Sequence, residues 1–276
     1  MKILVTGANG MLGQDLCPIL EDEGHEVVET DIKNLDITDF KTVQNVLKNE
    51  KPDVVIHCAA YTNVDLAEEE LEKARLINAK GTENVAKVCS EINSELVYIS
   101  TDYVFDGKKQ SPYEPDDKIN PLNNYGLTKF EGEKFVEKYC EKYYVVRTSW
   151  LYGIHGKNFV ETMLALKDKE ELRVVDDQIG CPTWTVELAN GIVELLDGAE
   201  YGIYHICGSG QTSWHGFAKK IFEFAGLKVN LIPCKTLDLP RPAKRPSNSV
   251  MDNEGFCRKW EVALKDYLSL RDCEEL

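Results

Sequence analysis

No Cys-x-x-Cys and no His-x-x-x-His spacing occurs anywhere in the 276 residues, which removes the common zinc and thiol-redox frameworks. The nine cysteines are scattered and odd in number, the pattern of reduced thiols serving as small buried apolar residues. No apolar run approaches the roughly 20 residues of a membrane helix, and MKILVTGANG turns after three apolar residues, far short of a secretory signal. A cytoplasmic protein is the expectation. Positive charge is scarce too: 32 Lys and Arg stand against 47 Asp and Glu, a net charge of -15. Nucleic acid needs a basic face and an anionic membrane repels such a chain, so neither is an expected partner. A phosphate-bearing ligand must be met here by a local nest of donors or cations.

What is present is an ordinary globular balance, 43% hydrophobic and 29% charged, in a chain long enough for a large domain with a smaller lobe. Apolar runs at KILVT (2–6), HEVVETD (25–31), DVVIHCAA (53–60), ELVYIS (95–100) and YYVVRTSW (143–150) read as strands. Helical periodicity fills the gaps, after Gly10 and at 40–49, 67–92 and 125–142. Strands that are nearly all apolar, alternating with helices, predict an α/β fold: a doubly wound parallel sheet covered on both faces. After Trp150 the rhythm changes. Loops lengthen, four prolines crowd 231–250, helical segments remain at 185–197, 214–225 and 253–268, and YHIC (204–207) reads as a strand.

TGANGMLG places Gly7, Gly10 and Gly13 between the first strand and the first helix. The spacing departs from the common Gly-x-Gly-x-x-Gly fingerprint, yet the physics is similar: glycines tighten the turn and let a pyrophosphate approach the amides of a helix N-terminus. Asp31 follows 18 residues after Gly13, at the end of the next strand. There its carboxylate accepts from ribose hydroxyls and repels a 2′-phosphate, which favours NADH over NADPH. Lys33, two residues on, weakens that preference. Residues 1–150 are therefore expected to form a dinucleotide-binding domain. The expected sheet is Rossmann-like, and residues 151–276 are expected to form mainly a smaller substrate-binding lobe, with part returning to the main sheet.

INPLNNYGLTKFEGE (119–133) carries Tyr125 and Lys129 four residues apart. On its own this is the spacing of any two side chains on one helical face. Beside a dinucleotide fold it acquires a second meaning: an ammonium one turn away lowers the pKa of a phenol, which ordinarily lies near 10. The product is a general acid and base suited to a carbonyl–alcohol interconversion. STDYVFDG (100–107) ends the preceding strand and offers Thr101 to the same oxygen.

TGANGMLG, HCAAYTNVD (57–65), STDYVFDG and the Tyr-x-x-x-Lys of YGLTK together resemble the extended short-chain dehydrogenase/reductase family. That resemblance implies catalytic roles for Thr101, Tyr125 and Lys129, the last two also at the cofactor. The ordered blocks PLNNYGLTK, RTSWLYG (147–153), DQIGCPT (177–183), IYHICGSGQTSWHGFA (203–218) and RPSNS (245–249) narrow it to nucleotide-sugar reductases. The implied reaction is NAD(P)H-dependent reduction of the C4 keto group of a dTDP-linked 4-keto-6-deoxy sugar, dTDP-4-dehydro-L-rhamnose giving dTDP-L-rhamnose. The same resemblance puts Gly10, Met11 and Leu12 at the pyrophosphate and Asp31, Asp36 and Ile37 around the adenosine. Ala59, Ala60, Tyr61 and Thr62 line the cofactor further along; Thr101 and Asp102 touch the sugar, and Trp150 lines the substrate pocket. Related 4,6-dehydratases carry an Asp-Glu pair after the threonine; here Tyr103 follows Asp102, which disfavours elimination. A monomer or homodimer is implied. Some such reductases hold magnesium at a dimer contact, but no acids for it are identified here and the tail RDCEEL is short. Two alternatives stay open: a non-catalytic NAD(P)-binding regulatory subunit, and an epimerase or reductase for another nucleotide sugar.

RPAKRP (241–246) gathers Arg241, Lys244 and Arg245 in this acidic chain, on a backbone stiffened by prolines. Arg245 is the expected grip on the substrate's diphosphate, because guanidinium binds phosphate oxygens with two parallel hydrogen bonds.

Overall fold

The computed structural model describes residues 1–274; the end of the RDCEEL tail lies outside the described residues. Six strands form one parallel sheet: β1 (Lys2–Thr6), β2 (Glu26–Thr30), β3 (Val54–His57), β4 (Glu95–Thr101), β5 (Tyr143–Thr148) and β6 (Gly202–His205). Their spatial order is β6-β5-β4-β3-β1-β2. Ile3, Leu4 and Val5 of β1 and Val54, Val55 and Ile56 of β3 are fully buried. Burial on both faces is the reason these strands read as continuous apolar runs and not as alternating ones. The order reverses between β1 and β3, the arrangement that opens a crevice at the carboxyl ends of the strands.

One sheet face is covered by α1 (Met11–Asp22) and α7 (Thr185–Leu196), whose Leu12, Leu16, Leu20, Leu188 and Ile192 share a core with β1 and β3. The other carries α2 (Phe40–Glu50), α4 (Thr82–Ile92) and α5 (Asn124–Tyr139). Asn123 starts α5: its extended backbone and a side-chain oxygen that accepts from Gly126 N at 2.8 Å form an N-cap. The chain after residue 151 thus supplies an edge strand, β6, and a helix to the main sheet. Its remaining segments, α6 (Phe159–Ala165), α8 (Trp214–Phe224) and α9 (Trp260–Glu274), pack around a second core of Tyr152, Phe217, Ile221 and Tyr267. Strand Leu172–Val175 pairs there with Leu231–Cys234.

Two helices differ from the periodicity. The expected 67–92 helix is broken into a 3-10 turn (Leu66–Glu68), the short α3 (Leu71–Arg75) and a π turn (Leu76–Gly81) leading into α4. Thr82 Oγ1 donates to the Asn78 carbonyl at 2.7 Å, and a Cβ at Gly81 would come within 2.7 Å of Ile37 Cδ1, so tertiary packing overrides the local repeat there. The expected 253–268 helix begins only at Trp260, since Glu254 and Gly255 both take positive φ in a turn. No described helix is long and apolar enough to cross a membrane.

Candidate active site

The carboxyl ends of the central strands open on a cavity of about 730 Å³. At one end lies the turn after β1. Gly7 sits at φ +68, and a Cβ there would lie 2.8 Å from Ala59 N, so only glycine lets this turn nest against the end of β3. Gly10 caps α1 without a side-chain hydrogen bond, and no acid stands in the first turn. Gly10, Met11, Leu12 and Gly13 line the cavity, so amides with no capping side chain face the place where a diphosphate would rest. Asp31 lines the next stretch; its Oδ2 accepts from Asn9 N at 3.2 Å and its Oδ1 from Ile32 N at 2.6 Å. Asp36 and Ile37 follow, Asp36 Oδ1 accepting from both the amide and hydroxyl of Thr38. Ala59, Ala60 and Thr62 complete this wall. Tyr61 is not part of the lining: its hydroxyl donates to Glu70 at 2.8 Å, while its amide donates to Asn78 Oδ1 at 2.7 Å.

At the other end, β4 delivers Thr101 and Asp102, and α5 delivers Tyr125 and Lys129 to the same cavity. Thr101 Oγ1 donates to Asp102 Oδ1 at 3.0 Å and accepts from Tyr103 N at 3.2 Å. Lys129 is buried, its Nζ 4.2 Å from the centre of the Tyr98 ring. Burial pulls the Lys129 ammonium down to about 7, against the opposing pull of Glu133 and Cys58. Burial likewise pushes the Asp102 carboxyl up to about 6, against the Ser249 and Thr101 hydroxyls. The Tyr125 phenol is not lowered as the four-residue spacing suggested. Burial first, and the Asp102 charge second, push it up to about 12, against a hydrogen bond with Thr101. Desolvation dominates, and the phenol keeps its proton at neutral pH.

Trp150 leaves β5 at φ +46, a left-handed conformation that costs a bulky residue about 1–3 kcal/mol. It lines the cavity together with Trp214, Tyr103 and Lys157, none of which sequence reasoning named as a site residue. The ring of Tyr103 meets that of Tyr125 edge-on at 5.9 Å. Trp214 stood within a motif already noted, GQTSWHGFA at a predicted helix start, but nothing local indicated which wall it would join.

The RmlD substrate binding domain model matches residues 1–271. This chain belongs to the RmlD family. It is 42% identical over 277 residues to the spore coat polysaccharide biosynthesis protein SpsK of Bacillus subtilis (strain 168), covering 98% of each. Among solved structures it is similar to a dTDP-4-dehydrorhamnose reductase, an RfbD ortholog from Clostridium acetobutylicum ATCC 824. That match has a TM-score of 0.96 and 45% identity, over 99% of this chain and 100% of that one. A dTDP-4-dehydrorhamnose reductase (RfbD) from Bacillus anthracis str. Ames, in complex with NADP, superposes at TM-score 0.95 with 43% identity, over 98% of this chain and 99% of that one.

In this RmlD-family chain, Arg245 stands outside the cavity lining. Its guanidinium takes both oxygens of Asp65, with Nη2 donating to Oδ2 at 2.9 Å and Nη1 to Oδ1, and Arg241 reaches the same carboxylate at 3.3 Å. The Lys244 carbonyl accepts from Asn123 Nδ2 at 2.8 Å, which ties the segment to the start of α5. The two arginines of the basic cluster are thus held by one internal carboxylate, Asp65. Among the described residues, no group of three or more His, Cys, Asp or Glu side chains is placed to hold a metal ion.

Proposed function

We propose that this protein reduces the C4 keto group of a dTDP-linked 4-keto-6-deoxy sugar, dTDP-4-dehydro-L-rhamnose, with NADH or NADPH. The observation that carries the reading is the convergence, in one cavity, of the glycine turn of α1 with Thr101, Tyr125 and Lys129. The donor set fits a nicotinamide dinucleotide. Gly10, Met11 and Leu12 would receive the diphosphate, Asp31 the adenosine ribose, and Lys129 the nicotinamide ribose. When bound, the reduced nicotinamide supplies a hydride for the carbonyl carbon. Tyr125 supplies the proton: its raised pKa keeps the phenol loaded, and Thr101 shares the developing alkoxide. The phenolate left behind draws Lys129 toward its charged form, since an anion nearby favours the ammonium. Asp102 stands alone, without the second carboxylate that elimination of water requires.

Asp31 favours NADH, weakly because Lys33 is adjacent in sequence. The Bacillus anthracis relative, solved with NADP, shows a 2′-phosphate tolerated elsewhere in the family. A monomer or homodimer working without nucleic acid, in the cytoplasm, fits the acidic charge. The test is a panel of 4-keto sugars on dTDP, UDP and GDP with nicotinamide absorbance as readout. Consumption of NADH with the dTDP-linked 4-keto-6-deoxy sugar is expected. Tight dinucleotide binding with no consumption on any sugar would make the protein a binding subunit, and sugar conversion without net oxidation would make it an epimerase.

A further inference from the structure

Trp150 and Trp214 lie face to face, ring centres 3.5 Å apart and planes within 4°. Both line the cavity that holds Thr101 and Tyr125. An indole at positive φ persists only where its surroundings over-determine it, and here several contacts do so. Gly180 leaves room for the ring: a Cβ there would lie 2.4 Å from Trp150 Cε2. The Trp150 carbonyl accepts from Thr183 N at 3.3 Å.

Trp214 is itself held firmly. It is the first residue of α8, behind the Ser213 cap, whose hydroxyl accepts from Gly216 N at 2.9 Å. Its Nε1 donates to Gln178 Oε1 at 3.2 Å, and Gln178 Nε2 donates to Thr236 Oγ1 at 3.0 Å. Thr236 in turn donates to Asp177 at 2.7 Å. Phe159 packs on the indole at 4.6 Å. A chain of polar and aromatic contacts from the second core therefore ends on the face of Trp150.

We propose that Trp214 is a positioning residue for the sugar: stacked on Trp150, for whose ring Gly180 leaves room, it fixes the orientation of the indole in the wall against which a 6-deoxyhexose lies. This rests on reading the cavity as the nucleotide-sugar site. The chemistry suits that ligand class. A deoxyhexose presents an apolar face of C–H groups and a methyl, which an aromatic plane accommodates by dispersion and exclusion of water. The orientation of that plane decides how the C4 carbonyl meets Tyr125, and small misplacements of a reacting group are costly in rate.

The experiment measures KM for the dTDP-linked keto sugar, kcat, and NADH affinity by fluorescence titration. It uses Trp150→Ala, Trp214→Ala, Trp214→Phe and Gly180→Ala in the full chain. Trp214→Ala is expected to raise KM for the sugar about tenfold and lower kcat, leaving NADH affinity unchanged. Gly180→Ala should do the same by displacing the ring, and Trp214→Phe should restore most of the loss by keeping an aromatic backing. The stacked indoles should give the wild type an exciton couplet in circular dichroism, absent from Trp214→Phe and Trp150→Ala. Should Trp214→Ala fail to fold, Trp214→Leu, which fills the volume without a ring plane, carries the same comparison. Unchanged sugar kinetics in the Trp214 variants, with KM raised in Trp150→Ala, would overturn the proposal and leave Trp150 acting alone. Unchanged kinetics in Trp150→Ala as well would remove the sugar-wall reading beneath it. NADH affinity falling alongside sugar affinity would reduce Trp214 to a packing residue and also overturn the proposal.

Discussion

Arg147 grips Glu133 with two parallel hydrogen bonds, Nε to Oε1 at 3.0 Å and Nη2 to Oε2 at 2.8 Å, in a place where both side chains are sealed from solvent. Ser100 Oγ adds a bond to the same carboxylate at 2.5 Å, and Arg147 Nη1 donates to the Pro115 carbonyl at 2.9 Å. The pair staples α5 to β5 beneath Tyr125 and Lys129. Removing one partner leaves a buried charge uncompensated, so Glu133→Gln should cost about 3–5 kcal/mol of stability. Urea titration checks it. The double variant Glu133→Leu with Arg147→Met should be markedly more stable than either single one, because it buries no lone charge.

Tyr125→Phe removes the proposed proton donor and little else. Its kcat should fall by about 10²–10⁴, with NADH affinity close to that of the wild type by titration. A variant retaining half the wild-type kcat would take the proton-donor role away from Tyr125.

Asp31→Ser removes the charge proposed to face a 2′-phosphate while leaving Gly7 and Gly10 untouched. The ratio of kcat/KM for NADPH over NADH should rise, by about three- to tenfold given the part-exposed site. A ratio that does not move would make Asp31 a turn residue serving only Asn9 and Ile32.

Asp65 ties the 241–245 segment to the loop after β3. The Arg245 hydrogen bond, helped by the Ala243 amide and resisted by burial, holds its carboxyl down at about 2. An unfolded Asp titrates near ~3.9. Since the folded value is the lower one, the contribution to stability is fully present above about pH 4 and is lost as pH falls toward 2. The Tm gap between wild type and Asp65→Asn should therefore be largest near neutrality and close over that acid window. A gap independent of pH would show that the carboxylate charge contributes nothing there.

The parallel α/β sheet was legible because buried strands write continuous apolar runs, and the glycine turn because φ +68 at Gly7 and its contact with Ala59 exclude any other residue. Tyr125 and Lys129 share a helical face by geometry alone, at 3.6 residues per turn. These are local facts, set by backbone sterics and period, and a single chain carries them openly. What the sequence could not express depends on segments far apart meeting in space. The pairing of Arg245 with Asp65 joins residues 180 positions apart, a partner that the RPAKRP motif by itself does not indicate. Gly81 at the end of the π turn packs closely on Ile37, and the stack of Trp214 on Trp150 joins the second core to the end of β5. Even the acidity of Tyr125 was decided this way: a lysine one turn away argues for a lower pKa, but the burial that only the assembled walls create raises it.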